Sequence, residues 1–384
     1  MERVELHVYT KRDLMNATKV YEVEKTKMLE NYEIKIKELV YNGANKIYGN
    51  TLPEEVEDRI NKELKSIIEN NFTILYIIAQ KLVKKSNENG YIASYRGSIG
   101  ASLVAYCLGI TEVDPLKYNI PFEVFAGFYR DRKPDIELNF AGEYLTKLQE
   151  YEKVVDDEII LKPLSSYSNN KKFLKIKILE QDILHILHKL QELTVINPTT
   201  INLKDKETMK MMCSTDMFDI HNFGTKFVRD IILETNPTTF DELIKINSIF
   251  FGTNIWKNNA QDLIKNGIAT LREVIGSRDD IMNDLIKAGI DPKIAFELME
   301  TVRKGKVRAN KESNWKKYKK IMEEHNIPEW YIKSCEKIGY MFPKAHSVIY
   351  TINAFRIAYY KVHYPEAFQK ACLERSNKNE NWIW

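Results

Sequence analysis

The chain has 384 residues, 44% of them apolar, 29% charged and 11% aromatic, with a formal net charge of +3. That composition supports real cores and excludes global disorder, and the length predicts two or three domains. Fifteen glycines and eleven prolines are few for a turn-rich all-β protein. No run approaches the roughly 18 uncharged apolar residues of a membrane span, and Met1–Tyr21 lacks a signal-peptide core. Cys107, Cys213, Cys335 and Cys372 lie far apart with no C-x-x-C pair, so they read as reduced thiols of a cytoplasmic protein, with no zinc site.

Apolar residues every three to four positions predict helices over 21–48 and 53–86. Pro53 falls where a first turn would begin, with Thr51 as its N-cap. Between Phe72 and Val83 the apolar residues are almost continuous, which predicts burial on most sides. A polar turn at Asn87–Gly90 leads to a short extended segment at Tyr91–Ser94. Arg96-Gly97-Ser98-Ile99-Gly100 and an apolar helix over 101–109 follow. Such a turn exposes backbone N–H groups, and a helix start adds partial positive charge, the layout of a phosphate cradle or of a plain N-cap.

Lys133–Phe140 alternates polar and apolar residues and reads as a strand. Asp135 and Glu137 then share one face, roughly 6.5–7 Å apart, with Ile136, Leu138 and Phe140 turned to a core. Two acids on one face suit either solvent or a divalent metal that prefers hard oxygen ligands. The next alternating strand, Phe173–Leu179, carries Lys175 and Lys177 on its polar face. Ser165–Lys172 between the two strands reads as a polar, disordered loop.

From Gln181 onward the pattern is helical, with turns and helix starts at Asn197-Pro198, Asn236-Pro237, Asp291-Pro292 and Ile327-Pro328. His185 and His188, three apart with no third ligand, read as a surface pair. Residues 303–320 hold nine basic side chains (Arg303, Lys304, Lys306, Arg308, Lys311, Lys316, Lys317, Lys319 and Lys320) against one acid, Glu312. That window is either a solvated helix face or a surface for phosphates. Trp330, Tyr331, Tyr340 and Phe342 follow on a predicted helix, where cations and aromatics together would hold phosphates and stack bases.

Several blocks in order closely resemble the PolC-type α subunit of bacterial DNA polymerase III. They are NKIYGNTLPEEVEDRINKELKSII, YRGSIGASLVAYCLGITEVDPL, IPFEVFAGFYRDRKPDIELNFAGEY, FGTKFVRDIILETNPTTF, VIGSRDDIM and YMFPKAHSVIYTINAFRIAYYKVHYPEAF. The opening RVELHVYT is similar to the start of the family's phosphatase-like domain. His7 is kept there, and Tyr9 replaces a metal-binding histidine.

The resemblance implies a mainly helical α+β fold, a small nucleotidyltransferase-like palm sheet followed by a large helical fingers domain. The expected division is an N-terminal vestige over 1–20 and a helical palm- and thumb-associated region over 21–95. A shortened palm over 96–180, fingers over 181–375 and a frayed tail over 376–384 complete it. Gly97 and Ser98 match the palm motif that holds the incoming triphosphate. Asp135 and Glu137 match the paired aspartates of a two-magnesium site. Arg303, Lys304 and Lys306 match the basic motif of the fingers. Tyr340, Phe342, Lys344 and His346 match the fingers helix that closes over the nascent base pair. The implied partners are a DNA primer-template, a dNTP and other replication proteins.

The departures bear on activity. The family is several-fold longer, and its exonuclease and its clamp- and duplex-binding parts have no counterpart in these residues. Its cysteine zinc module is reduced to Lys117-Tyr118-Asn119, and a large palm segment between Tyr144 and Lys172 is missing. The third catalytic aspartate falls at Lys177, a cation that repels magnesium. Loss of that carboxylate alone costs orders of magnitude in rate. Three readings follow. One is a non-catalytic binder of DNA or nucleotide. Another is an eroded gene product without activity. The third is a compact polymerase whose third carboxylate is Glu180, Asp182 or one of Asp156-Asp157-Glu158. The expectation is DNA or dNTP binding with polymerase activity weak or lost.

Overall fold

The structure, a computed structural model, describes residues 4–9, 19–23, 29–126, 136–145, 161–163, 174–311 and 313–376. Asp135, the acids 156–158, the loop 165–172 and the tail beyond Ser376 lie outside the described residues. The fold is mainly helical α+β, in two compact units, Met1–Glu192 and Leu193–Trp384.

The N-terminal unit is built on a six-stranded mixed sheet. Its strands are β1 (Val4–Tyr9), β2 (Lys19–Val23), β3 (Ser94–Arg96), β4 (Ile136–Phe140), β5 (Leu161–Pro163) and β6 (Leu174–Glu180), in the order β3-β4-β6-β1-β2-β5. β6 runs parallel to both β4 and β1, and the outer pairings are antiparallel. The expected alternation holds: Ile136, Leu138, Phe140, Ile176 and Ile178 are buried. Their face packs under a helix whose Leu75, Tyr76, Ile77 and Ile78 have no exposed surface.

The helix expected over 21–48 begins only at Leu29, because Lys-Val-Tyr-Glu-Val at 19–23 is the β2 strand against β1. β-Branched and aromatic residues in alternation favour that state. Helices α1 (Leu29–Tyr48), α2 (Glu54–Glu69) and α3 (Thr73–Glu88) follow. The helix expected over 53–86 is therefore two, broken where Asn71 takes a left-handed φ of 57°. Pro53, not Thr51, is the N-cap of α2, and three acids in the first turn (Glu54, Glu55, Glu57) complement the dipole. α6 (Asp182–Thr194) follows the sheet, after the short helices α4 (Leu103–Cys107) and α5 (Glu123–Ala126). His188 of α6 is not a surface residue: it stacks on Tyr91 at 4.0 Å with Nδ1 3.1 Å from the Gly90 carbonyl. His185 pairs with Glu143.

Glu63 of α2 has no exposed surface. Its carboxylate accepts from Ser102 Oγ at 2.7 Å, Leu103 N at 2.9 Å, Val104 N at 3.0 Å and Arg59 Nε at 2.6 Å. Arg59 also donates to the carbonyls of Ala101 and Ile120. Burial raises the Glu63 pKa, and Arg59 and the N–H donors oppose that rise.

The C-terminal unit is helical: α7 (Lys206–Met212), α8 (Lys226–Thr235), α9 (Phe240–Phe251), α10 (Gln261–Lys265), α11 (Arg278–Lys287), α12 (Pro292–Arg303), α13 (Trp315–Glu324), α14 (Glu329–Lys337), α15 (Lys344–His363) and α16 (Pro365–Ser376). α15 is its centre, buried on nearly every side, with α7, α9 and α16 against it. Capping boxes at Thr239/Glu242 and Ser277/Asp280 start α9 and α11. Adjacent acids then bind α11 to its neighbours. Asp279 accepts from Lys344 N at the start of α15 (2.8 Å), and Asp280 accepts from Lys245 Nζ of α9 (2.8 Å).

Two outcomes follow from these buried acids. Glu63→Gln places an amide N–H against donors and strands Arg59, so urea denaturation should show a loss of about 3 kcal/mol or more. Asp280 is held near a pKa of about 2 because Lys245, Lys344 and the Ser277 N–H outweigh the upward push of burial. Its folded value lies below its ordinary 3.8, so this contribution is present above about pH 4 and lost as pH falls through about 2. Acid denaturation should show about 2 kcal/mol of such dependence, absent in Asp280→Asn.

Candidate nucleotide and DNA site

The expected residues fall into a sheet-borne set and a helical set, one in each unit.

In the sheet, β3 delivers the chain to Gly97, whose φ of 94° and ψ of −166° suit only glycine. Ser98–Ala101 is a 3-10 turn rather than the start of the expected 101–109 helix, and α4 begins at Leu103 with Ser102 as its N-cap. The start of α4 is not open to a phosphate, as the cradle reading expected. Glu63 already holds its N–H groups, and Tyr76 donates to Ser102 Oγ at 3.2 Å. A phosphate here would meet the Gly97–Ala101 turn.

Glu137 lies half-buried on β4. The register sets it opposite Arg96 on β3 and opposite Lys177 on β6. Lys177 is in turn opposite His7 on β1. The expected neighbourhood of Glu137 and Lys177 is thus present in the backbone. Asp135, the other expected ligand, lies outside the described residues.

Of the expected metal ligands only Glu137 is described, and a lysine rather than a carboxylate holds the register position beside it, which disfavours a pair of magnesium ions. Among the described residues, no three His, Cys, Asp or Glu are grouped to hold a metal. Of the candidate third carboxylates, the acids 156–158 lie outside the described residues, and two are described. Glu180 closes β6 three residues beyond Lys177, on the opposite face by strand parity, and a Cβ on Gly142 would meet its Oε1 at 2.4 Å. Asp182 lies past the strand in the first turn of α6.

In the helical set, Glu300 neutralises much of the basic motif. Arg303 makes a two-pronged bond to it, Nε to Oε1 at 2.6 Å and a second guanidinium N–H to Oε2 at 3.0 Å, and Lys304 Nζ lies 3.2 Å away. Arg303 and Lys304 of the expected trio are thus ion-paired to Glu300, and Lys304 and Lys306 are its exposed members. The signal was in the sequence: an acid three and four positions before two cations on one helix.

Three backbone segments cross beside these residues. Thr253 N donates to Tyr340 O and Gly339 N to Thr253 O, both at 2.9 Å, and Met341 N donates to Arg303 O at 3.2 Å. Gly305, at φ 63°, lies so close that a Cβ would meet Gly339 O at 2.2 Å. Arg308 reaches Asn254 in the same knot. Tyr340, 39% exposed, is displayed here.

The four residues expected on one fingers helix are divided. α15 starts at Lys344, after Pro343, which holds the preceding residues out of helical geometry. Tyr340 and Phe342 precede it. Phe342 stacks on Phe251 at 4.5 Å and on His346 at 5.1 Å, and His346 stacks on Tyr350 at 5.9 Å. His346 is buried in this ladder, and the backbone N–H of Lys344 is bonded to Asp279. Tyr331 is core, its hydroxyl donating to Asp284 at 2.8 Å, and so is not a platform for bases.

Comparison with known proteins matches residues 34–155 to the bacterial DNA polymerase III alpha NTPase domain and residues 182–326 to the bacterial DNA polymerase III alpha subunit finger domain. The DNA polymerase III PolC-type of Caldanaerobacter subterraneus subsp. tengcongensis is 35% identical over 89% of this chain and 34% of its own length. Those of Streptococcus mutans serotype c and Staphylococcus aureus strain Mu3 are 34% identical over 88% of this chain and 33% of theirs. The chain thus spans about a third of the length of these curated relatives. Two domain models of one subunit, met in order along the sheet-bearing and helical stretches, together with these relatives, place this chain in the PolC-type DNA polymerase III family.

Proposed function

We propose that the chain is a DNA- and dNTP-binding protein of replication, with a palm over 96–180 and fingers over 181–375, and with template-directed synthesis weak or lost. The observation that carries this reading is the register of Glu137 between Arg96 and Lys177. Phosphoryl transfer at such a site depends on metal ions that neutralise developing charge on the phosphates. A cation at the third position opposes their binding. In the N-terminal unit the Gly97–Ser98 turn remains suited to a phosphate. In the C-terminal unit, taken by itself, Lys306, Lys344 and the displayed ring of Tyr340 remain suited to a nucleotide, with Arg303, Lys304, Phe342 and His346 fixing the geometry of that helical set. A cytoplasmic location fits a replication protein, and no described helix is long and apolar enough to cross a membrane.

Two measurements test this reading. Primed DNA should bind with a log–log salt slope of several units. Lys306→Ala should flatten the slope by about 0.7–0.9, one phosphate contact. Arg303→Ala should instead lower stability, because it removes both guanidinium bonds to the buried Glu300. Primer extension in magnesium should give no processive product. Robust incorporation abolished by Glu137→Ala would overturn the loss of catalysis, and failure to bind DNA at any salt would overturn the function.

A further inference from the structure

Residues opposite each other on adjacent strands share one face of a sheet. One row of this sheet therefore runs Arg96, Glu137, Lys177, His7 across β3, β4, β6 and β1, and the adjacent row pairs Lys175 with Glu5. Glu137 thus has a residue of fixed positive charge at the register position on either side of it. Counting Asp135, which the sequence alternation sets on the face of Glu137, two acids on this face are matched in number by Arg96 and Lys177 without any ion. The row begins beside the Gly97–Ala101 turn, since Arg96 is the last residue before Gly97. The face therefore needs no divalent cation to balance its charge, and it offers an anion two cationic residues, Arg96 and Lys177, at register positions beside Glu137.

We infer that this palm binds nucleoside triphosphates without a divalent cation, Lys177 supplying from the chain the positive charge that a metal would bring. The inference rests on the nucleotide-binding reading above and gives that site a metal-independent mode. Magnesium bound to the triphosphate lowers the charge that Lys177 and Arg96 attract, so metal weakens binding here or leaves it unchanged.

The test titrates the full chain with dATP in EDTA and in millimolar magnesium. The expected dissociation constant is equal or lower in EDTA. Lys177→Ala, with its fold checked by circular dichroism, should weaken binding on the order of tenfold or more, the loss of a charge-assisted contact. Manganese titrated without nucleotide, followed by electron paramagnetic resonance, should stay free with the wild type and become bound with Lys177→Asp. A requirement for magnesium in the wild type overturns the inference, as does dATP binding in neither condition or manganese binding to the unaltered chain. Primed DNA is measured in parallel: if it still binds, only the metal-independent mode falls, and if it does not, the nucleic-acid reading falls with it.

Discussion

Glu63 has no exposed surface, yet it carries a carboxylate held by Arg59, a serine hydroxyl and two backbone N–H groups. Taking an ion out of water costs several kcal/mol, and only a complete shell of donors offsets that. The shell consists of the first residues of α4, so the segment immediately after the Gly97–Ala101 turn cannot shift without stranding the charge. Gly97 alone permits the entry into that turn, and α2 fixes where the turn ends. The C-terminal unit uses the same device, with Asp279 and Asp280 fixing the start of α15 and the neighbouring α9.

These acids are committed to backbone and lysine donors, which separates them from chemistry. The pair Asp279-Asp280 resembles, in one dimension, the paired carboxylates that hold metals. In three dimensions each oxygen bonded to Lys344 N or Lys245 Nζ is part of a helix start. Glu300 is similar: it is spent on Arg303 and Lys304, and that pairing fixes the backbone from which Met341, and with it Tyr340, is positioned.

Much of this was legible in the sequence. Alternation ended β4 at Phe140 and set both ends of β6 within one residue, because a sheet with one buried face enforces a period of two. Their adjacency came from resemblance, since pairing between segments this far apart leaves no local signal. β1 and β2 were legible only in part. Val20 and Val23 announce a strand, but the surrounding Glu and Lys imitate a helix. The break at Asn71 was missed, since the apolar spacing runs through it, and the role of Glu63 was not readable, because nothing in the i, i+4 pattern of α2 says that it meets residues 40 positions on. His185 and His188 misled for a related reason: a polar pair on a helix is exposed only if nothing packs on it, and Tyr91 does.

The same period of two explains how a site can change its chemistry while the fold stays intact. Ile176 and Ile178 bracket Lys177 and are buried, so residue 177 contributes nothing to that core. An acid at 177 opposite Glu137 would set like charges against each other in adjacent strands, a destabilising pair unless a cation sits between them. A lysine at 177 instead sets unlike charges at facing register positions. The change costs the buried face nothing, because residues 176 and 178 that fill it are untouched by what stands between them.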